Sequence, residues 1–156
     1  MGMKLVVIGA SMASGRAMEH LLDANSDLYV ITLFGTEPRG NYNRIMLSPV
    51  LSGEKSYEEI VTHDADWYRE HGVDCRFGET VTAIDRMRKV VISDTGETPY
   101  DKLLIATGSS PFIIPVPGRD LDGVMAYRDL GDVNRMLDYA RRPNAKAVVI
   151  GGGLLG

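Results

Sequence analysis

Two glycine-bearing turns, one near each end of the sequence, carry the residue types that hold a phosphate. Val148-Val149-Ile150 runs into Gly151-Gly152-Gly153-Leu154-Leu155-Gly156, an intact G-x-G-x-x-G. In that pattern the anion is bound by backbone N–H groups and the dipole at the start of a following helix. No helix follows within the sequence, so the motif taken alone reads as a glycine-rich tail. With more chain behind it, it opens a nucleotide site, and the sequence is expected to be the front part of a larger dinucleotide enzyme.

The N-terminal turn is Gly9-Ala10-Ser11-Met12-Ala13-Ser14-Gly15, where only the first fingerprint glycine is kept and serines stand at positions 11 and 14. The first glycine makes the tight turn, the second lets backbone approach the pyrophosphate, and the third packs helix on strand. Ser11 adds a Cβ facing the phosphates, and its hydroxyl could donate a hydrogen bond in return. An ordinary β-to-α turn is the plain alternative; the place of Gly9 between a strand and a helix favours dinucleotide geometry. A serine nucleophile elbow fails, because G-x-S-x-G breaks at Ala13.

Beyond the second strand an acidic residue commonly accepts the ribose hydroxyls, and Glu37 is the candidate, with a solvated turn glutamate as the alternative. Asp27 lies before that strand, at the wrong edge. The stretch Asn41-Tyr42-Asn43-Arg44-Ile45-Met46-Leu47-Ser48-Pro49 sets an aromatic, a guanidinium and a hydroxyl near the same edge. Arg44 could pair with a phosphate or stack on a ring, or be a surface arginine. Trp67 and Tyr68 read as packing anchors. His20, His63 and His71 lack metal-ligand spacing and are assigned no chemistry. Arg86, Arg88 and Lys89 read as a solvated hairpin turn, and Cys75 as a small half-buried residue beside a strand.

The elements that would position these groups alternate between strand and helix. Leu5-Val6-Val7-Ile8 is a continuous apolar run suited to a parallel strand buried on both faces. Ala17, Met18, Leu21 and Leu22 recur at helical spacing, and residues 28–34 read as the next strand, completing a βαβ unit. Residues 35–52 read as a long loop over the carboxyl edge of the sheet. Ser56-Tyr57-Glu58-Glu59 is a capping box, and residues 64–71 form a helix closed by Gly72. Short strands are expected at 73–77, 81–85, 90–93 and 103–105, with a turn at Asp94-Thr95-Gly96. Pro111, Pro115, Pro117 and Gly118 mark a stiff connection with a domain boundary after it, giving segments 1–118 and 119–156. Leu130, Val133, Met136, Leu137 and Ala140 make a helical stripe ended by Pro143, and residues 147–150 start a second strand-to-glycine unit. The fold class is α/β, an incomplete doubly wound sheet with a small antiparallel β element.

Composition narrows the partners. Of 156 residues, 17 are basic and 21 acidic, and the net charge of −4 leaves no footprint for nucleic acid or anionic membrane. The single cysteine rules out an internal disulfide or a multi-cysteine metal site within this stretch. No apolar run approaches spanning length and no h-region opens the sequence, so a cytoplasmic setting is expected.

Gly9 with its strand, the strand end Ala106-Thr107-Gly108 and the second glycine turn together resemble the two-dinucleotide-binding flavoprotein superfamily, in which an NAD(P)H domain is inserted into an FAD domain. More narrowly, Phe34-Gly35-Thr36-Glu37-Pro38, Asn41-Tyr42-Asn43-Arg44 through Leu47-Ser48-Pro49, Asp66-Trp67-Tyr68, residues 100–109 and Pro115-Val116-Pro117-Gly118 resemble the large subunit of assimilatory NAD(P)H-dependent nitrite reductase. The likeness runs over essentially the whole chain. It implies that Gly9, Ser11, Met12 and Ala13 hold the FAD pyrophosphate and Glu37 the ribose, and that Arg44, Ser48 and Pro49 approach the flavin. Val81 would contact the adenine region, Ala106, Thr107 and Gly108 would line the cofactor, and Gly151, Gly153 and Gly156 would begin the NAD(P)H site. Sirohaem and an iron–sulfur cluster are implied only downstream, so this stretch alone reduces no nitrite.

Two alternatives stand beside that reading. A rubredoxin or ferredoxin reductase shares the architecture, and the Asn-Tyr-Asn-Arg and Asp-Trp-Tyr segments argue against it. A non-catalytic module that binds no flavin could instead pair with another copy through an uncovered sheet edge.

Overall fold

The computed structural model describes residues 2–25 and 27–151. They form two compact units, one of Met1–Asn43 with Val61–Gly108 and one of Arg44–Ile60 with Ser109–Gly156.

The first unit is built on a four-stranded parallel sheet. Its strands are β1 (Met3–Ile8), β2 (Tyr29–Gly35), β5 (Asp74–Phe77) and β9 (Lys102–Ile105), in the order β5-β2-β1-β9. The helix α1 (Met12–Asn25) is the crossover from β1 to β2, as expected from the spacing of Met18 and Leu22. Side chains alternate across a strand, so one central strand feeds two cores. Leu5 and Val7 join Ile31, Leu33, Met18, Leu22, Tyr68 and Val73 on one face. Val6 and Ile8 join Phe34 and Val91 on the other.

Val91 comes from a three-stranded antiparallel sheet, β6 (Val81–Asp85), β7 (Val90–Ser93) and β8 (Glu97–Pro99). The strand β8 is not legible in the sequence, because Glu97-Thr98-Pro99 has no apolar alternation and ends on a proline; its pairing with β7 makes it a strand. The exposed turn before β7 is tied by an Arg88–Glu97 ion pair. A two-residue strand β3 (Asn41–Tyr42) pairs with β4 (Val61–His63), and α3 (Ala65–Glu70) follows. Asp64 caps α3 by accepting the Trp67 N–H at 2.8 Å, and Gly72 beyond it has φ +70°, matching the expected stop.

Cys75 sits half-buried in β5. Burial, and then the charge of Asp74, pushes its thiol from 9.0 up to about 12. The folded chain therefore keeps this proton where the unfolded chain sheds it, so stability should fall as pH rises from about 9 toward about 12. Cys75 should also resist alkylation at pH 8 until denaturant is added; rapid labelling of the folded chain would contradict its burial.

The second unit holds a 3-10 turn at Arg44–Met46, α2 (Leu47–Ser52), a 3-10 turn at Glu58–Ile60 and α4 (Leu130–Ala140). The expected long loop over 35–52 is thus partly structured. Glu59 accepts the Ser56 N–H at 2.7 Å, the capping contact read from the sequence. Asp129 and Asp132 form a full capping box on α4. The strand expected at 147–150 is not formed, and Val148, Val149 and Ile150 are 89, 73 and 75% exposed. An apolar run becomes a parallel strand only when neighbours accept its ladder hydrogen bonds. Among the described residues no helix is long and apolar enough to cross a membrane.

Candidate functional site

The strand ends meet at Gly9. Its N–H donates to the Phe34 carbonyl at 2.8 Å, and the Ala106 N–H donates to the Ile8 carbonyl at 2.8 Å. A Cβ on Gly9 would lie 2.3 Å from the Ala106 oxygen, and φ there is +108°. The glycine is therefore required by contact with β9 as well as by the turn. Gly35, the last residue of β2, closes the other side, where a Cβ would lie 2.7 Å from the Ala10 Cβ. Thus the Gly9 turn and the strand end at Ala106, expected separately from the sequence, are one place at the carboxyl edge of the sheet. Thr107 and Gly108 continue from it, exposed, with Gly108 at φ +74°.

Beyond the turn, Ser11 is half-buried while Met12 and Ala13 are exposed at the start of α1. Their N–H groups precede any carbonyl of the helix that could accept them. The Ser11 N–H donates to Ser14 Oγ at 2.9 Å, and that hydroxyl donates back to the Ser11 carbonyl at 2.9 Å. Ser14 is fully buried, so the serine at the third fingerprint position is consumed in capping the helix.

The packing role of the third glycine has moved one place, to Gly15. A Cβ there would lie 2.8 Å from Asn41 Nδ2 and 3.1 Å from His63 Nδ1. Alanine for glycine inside a helix ordinarily gains about 1 kcal/mol. At Gly15 it should instead cost about 1–3 kcal/mol by overpacking, read from the urea midpoint. A stabilised Gly15→Ala variant would refute the contact.

Asn41 was legible only as part of a loop, yet it is fully buried behind the turn. Its amide nitrogen donates to the Ser11 carbonyl at 2.5 Å, and its oxygen accepts the Tyr68 hydroxyl at 2.8 Å. Burial, with smaller contributions from Cys75 and Glu19, pushes the Tyr68 phenol well above its ordinary value, so it stays a donor. His63 is buried beside them and its Nε2 lies 2.8 Å from Glu19 Oε1. Tyr68 is the expected packing anchor; no local signal marks Asn41 or His63 as its neighbours.

Glu37 stands two residues past β2, half-buried, and accepts the Tyr42 hydroxyl at 2.9 Å. Val81 opens β6 and packs against the cluster of Val6, Ile8, Phe34 and Val91. In the second unit, Arg44 opens a 3-10 turn, and Ser48 Oγ lies 2.9 Å from the Tyr127 hydroxyl. The Pro49 carbonyl accepts the N–H groups of Glu54 and Lys55 at 2.9 and 3.1 Å. Gly151 is exposed at φ +114°, and Gly153 and Gly156 lie outside the described residues.

The chain is similar to known proteins in sequence and in fold. The chain is 49% identical over 158 residues to a protein of Bacillus subtilis (strain 168) named Nitrite reductase [NAD(P)H], with 100% of this chain and 20% of that protein covered. It is 39% identical over 155 residues to the Nitrite reductase (NADH) large subunit of Escherichia coli (strain K12), covering 98% of this chain and 18% of that one. The chain therefore spans about a fifth of the length of these curated relatives. The crystal structure of NADH:rubredoxin oxidoreductase from Clostridium acetobutylicum superimposes with a TM-score of 0.78 at 27% identity, covering 90% of this chain and 36% of that one. The likeness to nitrite reductase large subunits read from the motifs thus runs along the whole chain. Residues 3–156 match the model of the family described as pyridine nucleotide-disulphide oxidoreductase, and the chain belongs to that family.

Proposed function

We propose that this chain is the FAD-binding front part of an NAD(P)H-dependent nitrite reductase large subunit. The observation that carries the reading is the 49% identity along the entire chain to a nitrite reductase, joined to a strand–glycine–helix turn at the carboxyl edge of a parallel sheet.

The donor set fits a dinucleotide diphosphate. Residues 9–14 carry no acidic side chain, glycine at 9 and 35 brings backbone close, and α1 presents the Met12 and Ala13 amides at its positive end. The Ser14 hydroxyl is satisfied by the Ser11 backbone N–H and carbonyl and so does not oppose an anion. In this reading Gly9, Ser11, Met12 and Ala13 hold the diphosphate, and Glu37, steadied by Tyr42, accepts the ribose hydroxyls. Val81 borders the adenine, Ala106, Thr107 and Gly108 line the cofactor, and Arg44, Ser48 and Pro49 serve the flavin. Gly151, Gly153 and Gly156 begin the NAD(P)H site within a segment starting at residue 119. Bound FAD would supply hydride acceptance from NAD(P)H and onward electron transfer, chemistry that belongs to the cofactor. This chain's residues bind and orient it. Sirohaem and iron–sulfur centres belong to sequence downstream.

The purified chain, mixed with FAD and desalted, should retain the yellow flavin absorption band. A colourless sample after that treatment would sink the proposal. The reductase of a rubredoxin or ferredoxin shares the fold, and 27% identity to the rubredoxin enzyme ranks below the nitrite reductase match. A cluster of four cysteines in the downstream coding sequence supports nitrite reductase, and a stop after the flavoprotein domains supports the shorter enzyme.

A further inference from the structure

We propose that Asn41 is a positioning residue for the dinucleotide diphosphate, acting through the Ser11–Met12 peptide, which it locks so that the Met12 N–H faces the ligand. The proposal rests on the reading of the Gly9 turn as a diphosphate site.

The Ser11 carbonyl accepts three donors at once. They are the Gly15 N–H at 2.9 Å, Ser14 Oγ at 2.9 Å and Asn41 Nδ2 at 2.5 Å. A trans peptide sets its C=O and N–H in opposite directions, and no cis peptide is found among the described residues. Drawing the Ser11 oxygen into the protein therefore turns the Met12 N–H outward, beyond the start of α1. Each donor on the carbonyl also polarises the peptide and strengthens the N–H on its far side.

Of the three donors, the Gly15 N–H is the ordinary first bond of a helix, and Ser14 belongs to the helix itself. Asn41 comes from another element, 30 residues along the chain, and so ties the turn to the body of the unit. The identity of its donor atom follows from chemistry: a carbonyl only accepts, so the nitrogen faces Ser11 and the oxygen faces the Tyr68 hydroxyl. Asn41, Ser14 and Tyr68 are each fully buried. A buried polar group stabilises less than an apolar one of the same shape unless all its bonds are made. The two satisfied ends of Asn41 thus mark a site that specifies one peptide orientation, where an apolar side chain could have filled the space.

The test compares a ligand that carries the diphosphate with one that lacks it, using ADP and adenosine titrated into the chain and followed by amide NMR shifts. Asn41→Asp keeps the shape and the acceptor for Tyr68 but, ionised, cannot donate to Ser11. It should weaken ADP about tenfold, the size of one lost charge-assisted hydrogen bond, and change adenosine affinity less than about twofold. Tyr68→Phe, which keeps the ring and frees the Asn41 amide to turn, should weaken ADP about threefold with the same indifference to adenosine. It decides the matter should Asn41→Asp fail to fold. Equal losses for both ligands, or unchanged ADP affinity, would overturn the positioning role while leaving the diphosphate site standing. An unsubstituted chain that binds neither ADP nor FAD would overturn the diphosphate reading and this proposal together.

Discussion

Alanine at Gly9 is expected to destabilise the first unit by about 3 kcal/mol or more. Two effects add. The backbone at φ +108° lies where L-residues are strained, and the new Cβ would stand 2.3 Å from the Ala106 oxygen and 2.7 Å from its carbon. The obstacle is main chain, so no rotamer change relieves it. Moving Ala106 away would pull β9 from β1, whose pairing runs through Val7 with Leu104 and Ile8 with Ile105. Gly72→Ala is the matching control, because Gly72 also has positive φ, at +70°, and meets nothing within 4 Å. That control should lose only about 1 kcal/mol, the strain alone. Urea unfolding of the two variants separates clash from strain, and equal losses would show that the approach of β9 does not matter. The Gly9→Ala variant should also fail to retain FAD.

Truncating Tyr68 should rank beside it. The side chain is fully buried among Leu5, Val7, Met18, Leu22, Ile31, Leu33 and Val73. Its ring meets Trp67 edge-on at 4.9 Å and Phe77 at 6.0 Å. Tyr68→Ala should cost about 3–5 kcal/mol for lost packing and the cavity left behind. A further cost of about 1–3 kcal/mol comes from the Asn41 oxygen deprived of its donor. Tyr68→Phe isolates the second effect and should cost about 1–3 kcal/mol. Denaturation followed through Trp67 fluorescence gives both numbers. Equal losses in the two variants would mean that the hydroxyl, and not the ring, dominates at this position.

The two experiments probe one design from opposite sides. Gly9 is small so that main chain can meet main chain at the strand ends, while Tyr68 is large so that α1 and α3 share a core with the sheet. Between them sits the peptide whose carbonyl Asn41, Ser14 and Gly15 hold.

Local pattern was enough for the elements on which the site stands. An unbroken run of apolar residues at 5–8 belongs to a strand covered on both faces, and the two cores on either side of β1 bear this out. Met18 and Leu22 at helical spacing determine which face of α1 is buried. Asp64 and Gly72 mark the limits of α3 because capping bonds and left-handed turns are made between residues near in sequence. The Ser14 cap is local in the same way, its partner Ser11 lying three residues away.

What tertiary structure alone decided are the contacts between residues distant along the chain. The apolar segment 147–150 has strand composition and no strand, because ladder hydrogen bonds need a neighbour and composition supplies none. Glu97-Thr98-Pro99 lacks that composition and is a strand, because β7 lies beside it. Asn41 looks like any loop asparagine until folding sets it between Ser11 and Tyr68, 30 and 27 residues away, and Gly15 looks dispensable until Asn41 and His63 close over it. Periodicity and capping report what each residue does to its neighbours in sequence. Which carbonyl a buried amide will reach depends on the chain coming back to itself, and only the folded structure contains that distance.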